Sequence, residues 1–564
     1  MISVSGRKWK EAKVNSNLVE KIEQDFSFSK ILSQLIISRK FDDKEIFLIN
    51  NELELKNFFQ ENSDFLNSAK IVENAIKNKE RICIFGDYDV DGSVATSLFV
   101  NLFKKLNCPY FYYIPDRIKD GYGANVKLFE KIILKDTKLV IMVDCGSTSN
   151  EAIDFLNQKN INSIIIDHHE INKPFPKANV IINPKKNNGY QEYDYLCAST
   201  LSYFFLEILI KRAKYKINLQ KYLIYILLAT ICDVMPLRKM NKLISKVVLK
   251  DFKINENHVF SKLYKLNNRK NKLNINDLSF LIGPILNSGG RLGKSYLATE
   301  LLISDDEKII NKKSLELTNL NNKRKNIETE IMNDIDFNNL NKANDKIIIY
   351  YNSNISEGLI GIIAAKLKDY YNLPSVVITN SNNILKGSAR SINGYNIGSA
   401  IKKSLDKNII LKGGGHNMAA GFSLKRNKID IFKNFLLNDF LKSPSIVNNL
   451  FTYDAYISTT AINRNFYNDI SKIGPFGNEN PIPIFYLKEL KVIKSSILNK
   501  KHISCILKSK AGKSISSIAF DSLNTPIGNY LLNYKKSFHV LGQINENFWN
   551  NKRTLQLIIK DIIL

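Results

Sequence analysis

Between residues 70 and 235, short continuous apolar runs alternate with amphipathic stretches. "RICIF" reads as a buried strand, and "GSVATSLFVNLFKKL" after it has helical spacing. "YFYYI", "KLVIMV" and "INSIII" repeat the strand pattern, with helical segments "NVKLFEKIIL" and "SNEAIDFLNQK" between them. Strands that are apolar throughout, separated by helices, predict a parallel, doubly wound sheet covered on both faces. Such sheets bind ligands beyond the carboxyl ends of their strands.

The pattern then changes. Residues 236–345 read as mostly helical, and "KKSLELTNLNNKRKNIETEIMNDI" suits a long connecting helix with dense charge on its outer faces. A second strand–helix alternation runs from "KIIIYYN" through "GLIGIIAAKLKDYY" and "SVVIT" to "GGGHNMAAGFSL". From "LFTYDAYIS" onward short strands dominate, as in a small OB-type barrel. The fold class expected is α/β: an N-terminal extension packing on the core (1–69), a parallel-sheet domain (70–235), a helical connector (236–345), a second α/β domain (346–442) and a C-terminal OB-type β-barrel (448–564). A chain of 564 residues is too long for a single core, in keeping with several domains.

Composition narrows the partners. Lys+Arg 81 against Asp+Glu 54 leaves a net charge of +27, which points to an anionic partner, most simply nucleic acid. The plainer alternative is a general Lys, Asn and Ile bias that fills the surface with lysine. Six scattered cysteines form no CxxC pair, so neither a zinc knuckle nor a disulfide framework is expected. The start "MISVSGRKWKEAKV" lacks a signal-peptide core, and "YLIYILLATIC" is too short to span a bilayer. A cytoplasmic, reducing location with no membrane contact is expected.

Chemistry gathers where the apolar runs stop. "RICIF" is followed by Asp87, Asp89 and Asp91; "KLVIMV" ends at Asp144; "INSIII" stops at Asp167, His168 and His169; an apolar helix-like run ends at Asp233. Three strand ends and a helix end thus bring acids and imidazoles to one edge, with neighbouring strands only ~4.8 Å apart. Like charges this close repel and are costly to bury without a cation. Any one element alone reads as a turn or a one-ion calcium loop. Together they suggest two divalent ions, Mn²⁺ or Mg²⁺, sharing a bridging carboxylate, an arrangement suited to in-line displacement at phosphorus.

"DYDVDG", "VDCG", "DHH" and "CDVMPL" resemble the four motifs of the DHH phosphoesterase superfamily. "YIPDRIKDGYG", "LCAST", "GPILNSGGRLG", "EGLIGIIAAKL", "GSARSI", "GGGHNMAAG" and "GPFGNENPIPIF" are similar to motifs of its bacterial branch of single-strand-specific exonucleases, and occur in the same order. The resemblance covers the chain from about residue 45 onward. It implies 5′→3′ degradation of single-stranded DNA to 5′-mononucleotides in repair and recombination. By the resemblance, Asp89 with Asp87 holds one ion; Asp91, His168 and Asp233 hold the second; Asp144 bridges. His169 would contact the scissile phosphate or leaving oxygen, and Asp167 would orient a histidine, unless it is simply a satisfied cap. Ser388, Arg390, Gly414, Gly415 and His416 would bind the 5′ end, where small residues let backbone N–H groups and a guanidinium reach a phosphate. Arg117 and Arg291 would bind substrate phosphates or else pair with the acids. Asn287 would touch DNA or fix its loop. The resemblance further implies a single-strand-binding protein and a helicase as partners, and a monomer is expected.

Some positions depart from the family pattern. Phe85 stands where some members have histidine, Ile285 where arginine is common, and Ile355 and Ser356 where a Trp-His pair is frequent. The barrel aromatics Phe476, Phe485 and Tyr486 are each expected in the core. Two alternatives remain at this stage. One is a DHH phosphoesterase acting on short oligonucleotides, cyclic dinucleotides or pyrophosphate. The other is a degenerate relative that only binds single strands or scaffolds a replication complex.

Overall fold

Arg81–Phe85 lies second in a five-stranded parallel sheet of order Tyr110–Tyr113, Arg81–Phe85, Thr137–Val143, Asn162–Ile166, Val180–Ile182 in the computed structural model. Ile84 pairs with Tyr112 on one side and Ile141 on the other, and Ile141 pairs with Ile164. Ile82–Phe85 and Val140–Val143 are fully buried, which is why these strands are apolar at consecutive positions. The helix Val90–Lys105 is buried from Val90 to Phe103, so small and apolar residues fill it on every side apart from Asp91 and Asn101. The structure describes residues 2–51, 54–117, 119–121, 123–186, 189–340, 346–381, 384–443, 450–510, 512–533, 536–549 and 552–564. The domain boundaries expected at 345 and 448 fall outside them.

The chain divides into two compact units. One comprises Lys56–Met235 and Val247–Ile446. Besides the parallel sheet it holds a five-stranded mixed sheet of order Lys412–His416, Ala419–Leu424, Ile384–Arg390, Ser375–Ser381, Ile348–Tyr351. The 28-residue helix Glu307–Asp334 starts at an Asp306 cap and buries Ile310, Leu317 and Glu328. It packs against the helices Gly283–Arg291 and Tyr296–Leu302.

The other unit comprises Met1–Leu55, Pro236–Lys246 and Val447–Leu564. Its strands Phe485–Leu498, His502–Ser509, Ser514–Ala519, Lys552–Ile563 and Phe538–Trp549 pair in that order, and Phe538–Trp549 pairs back onto Phe485–Leu498. The sheet therefore closes into a five-stranded barrel with few free edges. The N-terminal helices share its core: Leu32, Leu35 and Ile36 belong to one buried cluster with Phe485, Leu490 and Val540. Lys8–Glu11 pairs in parallel with Leu450–Tyr453. Arg39 donates to Asp454 at 3.1 Å and to the Pro481 carbonyl at 3.0 Å. Phe485 is a core residue as expected, whereas Tyr486 is half-buried in a ring cluster with Trp9, Tyr453, Tyr456 and His539.

Candidate metal centre

The strand Arg81–Phe85 ends, and the helix Val90–Lys105 begins with Asp89 as its cap: Asp89 Oδ1 accepts from the Gly92 N–H at 3.1 Å. This short turn puts Asp87 before the helix and Asp91 in its first turn. Asp87 Oδ1 accepts from the Tyr88 N–H at 2.8 Å. Asp91 turns the other way, and its oxygens accept from the N–H groups of Ala198 at 2.8 Å and Ser199 at 2.9 Å. Those are the first residues of the helix Ala198–Arg212, whose positive end steadies the carboxylate. "LCAST" is thus the helix start that aims Asp91. The run of small residues was visible in the sequence, but its target was not.

Asp144 follows its strand with φ of +62°. It is 1 % exposed, and among the described residues neither carboxylate oxygen has a hydrogen-bond partner. His168 Nε2, also buried and without a hydrogen bond, lies 3.3 Å from Asp144 Oδ1, 3.4 Å from Asp233 Oδ2 and 3.8 Å from Asp91 Oδ2. Two groups of ligand atoms, each within 4.8 Å, meet here: Asp87, Asp89 and Asp144, and Asp91, His168 and Asp233. Asp144 with His168 and His169 forms a third. The electrostatics match this crowding. Burial, then Asp89, pushes the Asp87 carboxyl up to about 8. Burial and the neighbouring aspartates push Asp144 and Asp233 well above the usual carboxylate range. Burial, then His169, pushes His168 down to about 4. Buried polar atoms normally have partners. Three orphaned ligand atoms among repelling carboxylates fit a pair of divalent cations, and the oxygen-rich set with one imidazole suits Mn²⁺ or Mg²⁺.

Asp167 has a different task. It accepts from the His168 N–H at 2.8 Å, the Ser147 N–H at 3.1 Å and His169 Nδ1 at 2.8 Å. Burial opposes its charge, but His169 and these donors outweigh burial and hold the carboxyl below its usual range. The same contact overcomes burial at His169 and raises it to about 9. Asn183, which the sequence reading missed, braces this corner by donating to Ser147 Oγ at 2.8 Å and the His169 carbonyl at 2.9 Å.

The expected substrate residues approach from several segments. The Arg117 guanidinium lies 5.1 Å over the Tyr88 ring. Arg291 donates to the Gly358 carbonyl at 3.3 Å, and burial, then repulsion from Arg117, Arg324 and Arg390, lowers it to about 10. Arg390 donates to Ser388 Oγ at 3.0 Å and is lowered by burial and by Arg117. Among the described residues Arg117, Arg291 and Arg390 have no carboxylate in an ion pair, whereas Arg324 pairs with Glu328 at 2.8 Å; guanidinium groups placed this way make a site suited to an anion. Close backbone approach builds it: a Cβ on Gly358 would lie 2.1 Å from the Arg291 carbonyl oxygen, and one on Gly290 would lie 2.6 Å from that of Tyr88. Asn287 fixes the loop, accepting from the Val90 N–H at 3.2 Å. Gly414, Gly415 and His416 sit exposed on the edge strand Lys412–His416, and His416 feels the charges of Lys185, Glu170 and His169. Three of the departures are apolar and structural: Phe85 packs edge-on against Phe129 at 5.3 Å, and Ile285 and Ile355 are buried; Ser356 is half-buried, and its carbonyl accepts from the Leu359 N–H at 2.9 Å.

Three family models match the chain: the DHH family N-terminal domain over residues 81–231, the DHHA1 domain over 344–442 and the RecJ OB domain over 453–561. The single-stranded-DNA-specific exonuclease RecJ of Haemophilus influenzae is 29% identical over 519 residues, covering 87% of this chain and 89% of that protein. The protein of the same name from Bacillus subtilis is 26% identical over 575 residues, covering 99% of this chain and 71% of its own length. The crystal structure of RecJ from Thermus thermophilus in complex with Mn²⁺ superposes with a TM-score of 0.81 at 20% identity, covering 98% of this chain and 79% of that one. Among the described residues no helix is long and apolar enough to cross a membrane.

Proposed function

We propose that the chain belongs to the DHH family, in the branch that adds DHHA1 and RecJ OB domains, and that it is a metal-dependent exonuclease that degrades single-stranded DNA from the 5′ end to 5′-mononucleotides. The observation that carries this reading is the orphaned Asp144 carboxylate between two ligand groups, beside three arginines that repel one another. Asp87, Asp89 and Asp144 would hold one divalent ion, and Asp91, His168 and Asp233, together with Asp144, would hold the other. Mn²⁺ or Mg²⁺ bound there supplies Lewis acidity for displacement at phosphorus. The chain's own residues do the rest. Ala198 and Ser199 keep Asp91 aimed through their N–H groups. Asp167 holds His169 through Nδ1, and the oriented imidazole would meet a phosphate or leaving oxygen. Arg117, Arg291 and Arg390, with Ser388, Gly414, Gly415 and His416, take the phosphates at the 5′ end.

Work in DNA repair and recombination follows from this chemistry. A 5′ end must first be unwound and kept single, so a helicase and a single-strand-binding protein are the partners proposed. The ligands and arginines all come from one compact unit of one chain, which supports a monomer. Six free thiols support a reducing, cytoplasmic location.

The test is a digest of 5′-labelled and 3′-labelled single strands with Mn²⁺, beside a blunt duplex and a chelator control. Release of the 5′ label first, as mononucleotide, with the duplex spared and the chelated reaction silent, is the expected outcome. Binding without hydrolysis in any divalent ion would favour a degenerate relative. Hydrolysis confined to very short strands would favour a small-substrate phosphoesterase.

A further inference from the structure

The helix carrying Asn287 and Arg291 begins well before them. Ile275–Asp277, Leu278–Ile282 and Gly283–Arg291 follow without a break, and the middle segment is π-helical. From Ile282 to Arg291 the only positions not buried are Pro284, Asn287 and Arg291. Their spacing of three and four makes one stripe, and the next position back along it is Phe280. Phe280 is 76 % exposed, the most exposed large apolar side chain among the described residues.

The stripe is bounded by the metal centre. Asn287 holds the Val90 N–H beside Asp89, and Gly290 lies against the Tyr88 carbonyl. On the other side Gly283 packs on Cys232, the residue before Asp233; a Cβ there would lie 2.4 Å from Cys232 Sγ. Phe280 is seven residues from Asn287, roughly 10 Å along the helix axis. A π-helical turn is a rare local feature found frequently at functional sites. Packing does not explain an exposed phenyl ring here, on the stripe that carries Asn287 and Arg291.

We propose that Phe280 is a stacking platform for a nucleobase of the substrate strand, on the 3′ side of the scissile bond. The base lies within about three nucleotides of the Asn287 end, since even a stacked strand advances about 3.4 Å per nucleotide. Stacking is tolerant of sequence because every base has a π-face, as an enzyme that digests any strand requires. The ring thereby grips the part of the strand that remains after each cut. The proposal rests on the exonuclease reading.

The test measures fluorescence-anisotropy binding of a 5′-phosphorylated single strand in chelator, so no cleavage intervenes. A single abasic residue is walked from the second nucleotide to the sixth, with wild type, Phe280→Ala and Phe280→Tyr. Wild type is expected to lose affinity at one position of the walk. Phe280→Ala is expected to bind the intact strand roughly 10-fold more weakly and to be indifferent to the abasic residue at that position, while Phe280→Tyr behaves as wild type. Phe280→Ala binding as wild type, or showing the same abasic profile, would overturn the proposal. A wild type that neither binds nor cuts single strands would overturn the exonuclease reading first, and this one with it.

Discussion

Two carboxylates, one in each unit, are buried to the same degree and treated in opposite ways. Asp144 is 1 % exposed, and among the described residues no hydrogen bond reaches either oxygen. Glu45 is 0 % exposed and both its oxygens are occupied. Arg238 donates to them at 2.6 and 2.5 Å, and the N–H groups of Lys239 and Asp42 add bonds of 3.2 and 3.3 Å. A carboxylate that serves the fold is closed by its own chain. One that serves chemistry is left open for something the chain does not contain. Beside Glu45 a third case appears: the Lys242 ammonium lies 4.1 Å over the Phe41 ring with no hydrogen-bond partner. Burial, then Lys246, pushes it down to about 7. Where no partner is offered, the group tends to lose its charge.

The sharpest way to break the contrast is Asp144→Asn. Cleavage should fall by roughly 10³-fold or more while single-strand binding persists. In chelator the variant should melt above wild type, because it removes a repelling buried charge, and Mn²⁺ should raise the wild-type melting temperature more than the variant's. Wild-type turnover in metal-purified buffer would end the two-ion account. Glu45→Ala should do the reverse to stability. It strands Arg238, and urea unfolding should show a loss of about 3–5 kcal/mol; an unchanged midpoint would mean that closure by the chain is worth little.

Lys242→Met is the smaller effect and has a pH signature. The folded-state value of about 7 lies below the ordinary 10.5, so between those pH values the unfolded chain holds a proton that the folded chain does not. The group's penalty is therefore present in full below pH 7 and disappears as pH rises to 10.5. Lys242→Met should stabilise by on the order of 2 kcal/mol near pH 6 and by almost nothing near pH 10.5. Urea midpoints at the two pH values check this, and a gap that does not narrow would show that the amine stays charged.

Much of the catalytic unit was legible because its signals are local. An apolar strand that ends in an acid states both its burial and its chemistry, and Asp87, Asp89, Asp144 and His168 needed only the parallel order of the strands to converge. What holds them was not legible. Asp91 is aimed by N–H groups 107 and 108 residues away. Asn183 acts through the His169 carbonyl and through Ser147, 36 residues away, and neither contact leaves a trace in the local pattern. The barrel was recognisable from its run of strand segments, although three of them, Phe485–Leu498, Phe538–Trp549 and Lys552–Ile563, are long, and the strand Lys8–Glu11 carries no sign that its partner is Leu450–Tyr453. Tyr486 was expected in the core beside Phe485, but neighbouring strand residues face opposite sides, and Tyr486 lies instead among Trp9 and His539.

The shared core of the N-terminal helices and the barrel has a consequence in time. Phe28, Leu32, Leu35 and Ile36 are buried against residues from Ala455 onward. At synthesis rates of about 5–20 residues per second, roughly 400 residues separate the emergence of the two, a wait on the order of 20–80 s. For that interval the first helices leave the ribosome with their apolar faces uncovered while the catalytic unit folds. The nascent chain is then a natural client for a holding chaperone, and the barrel is completed only when its strand Lys552–Ile563 arrives.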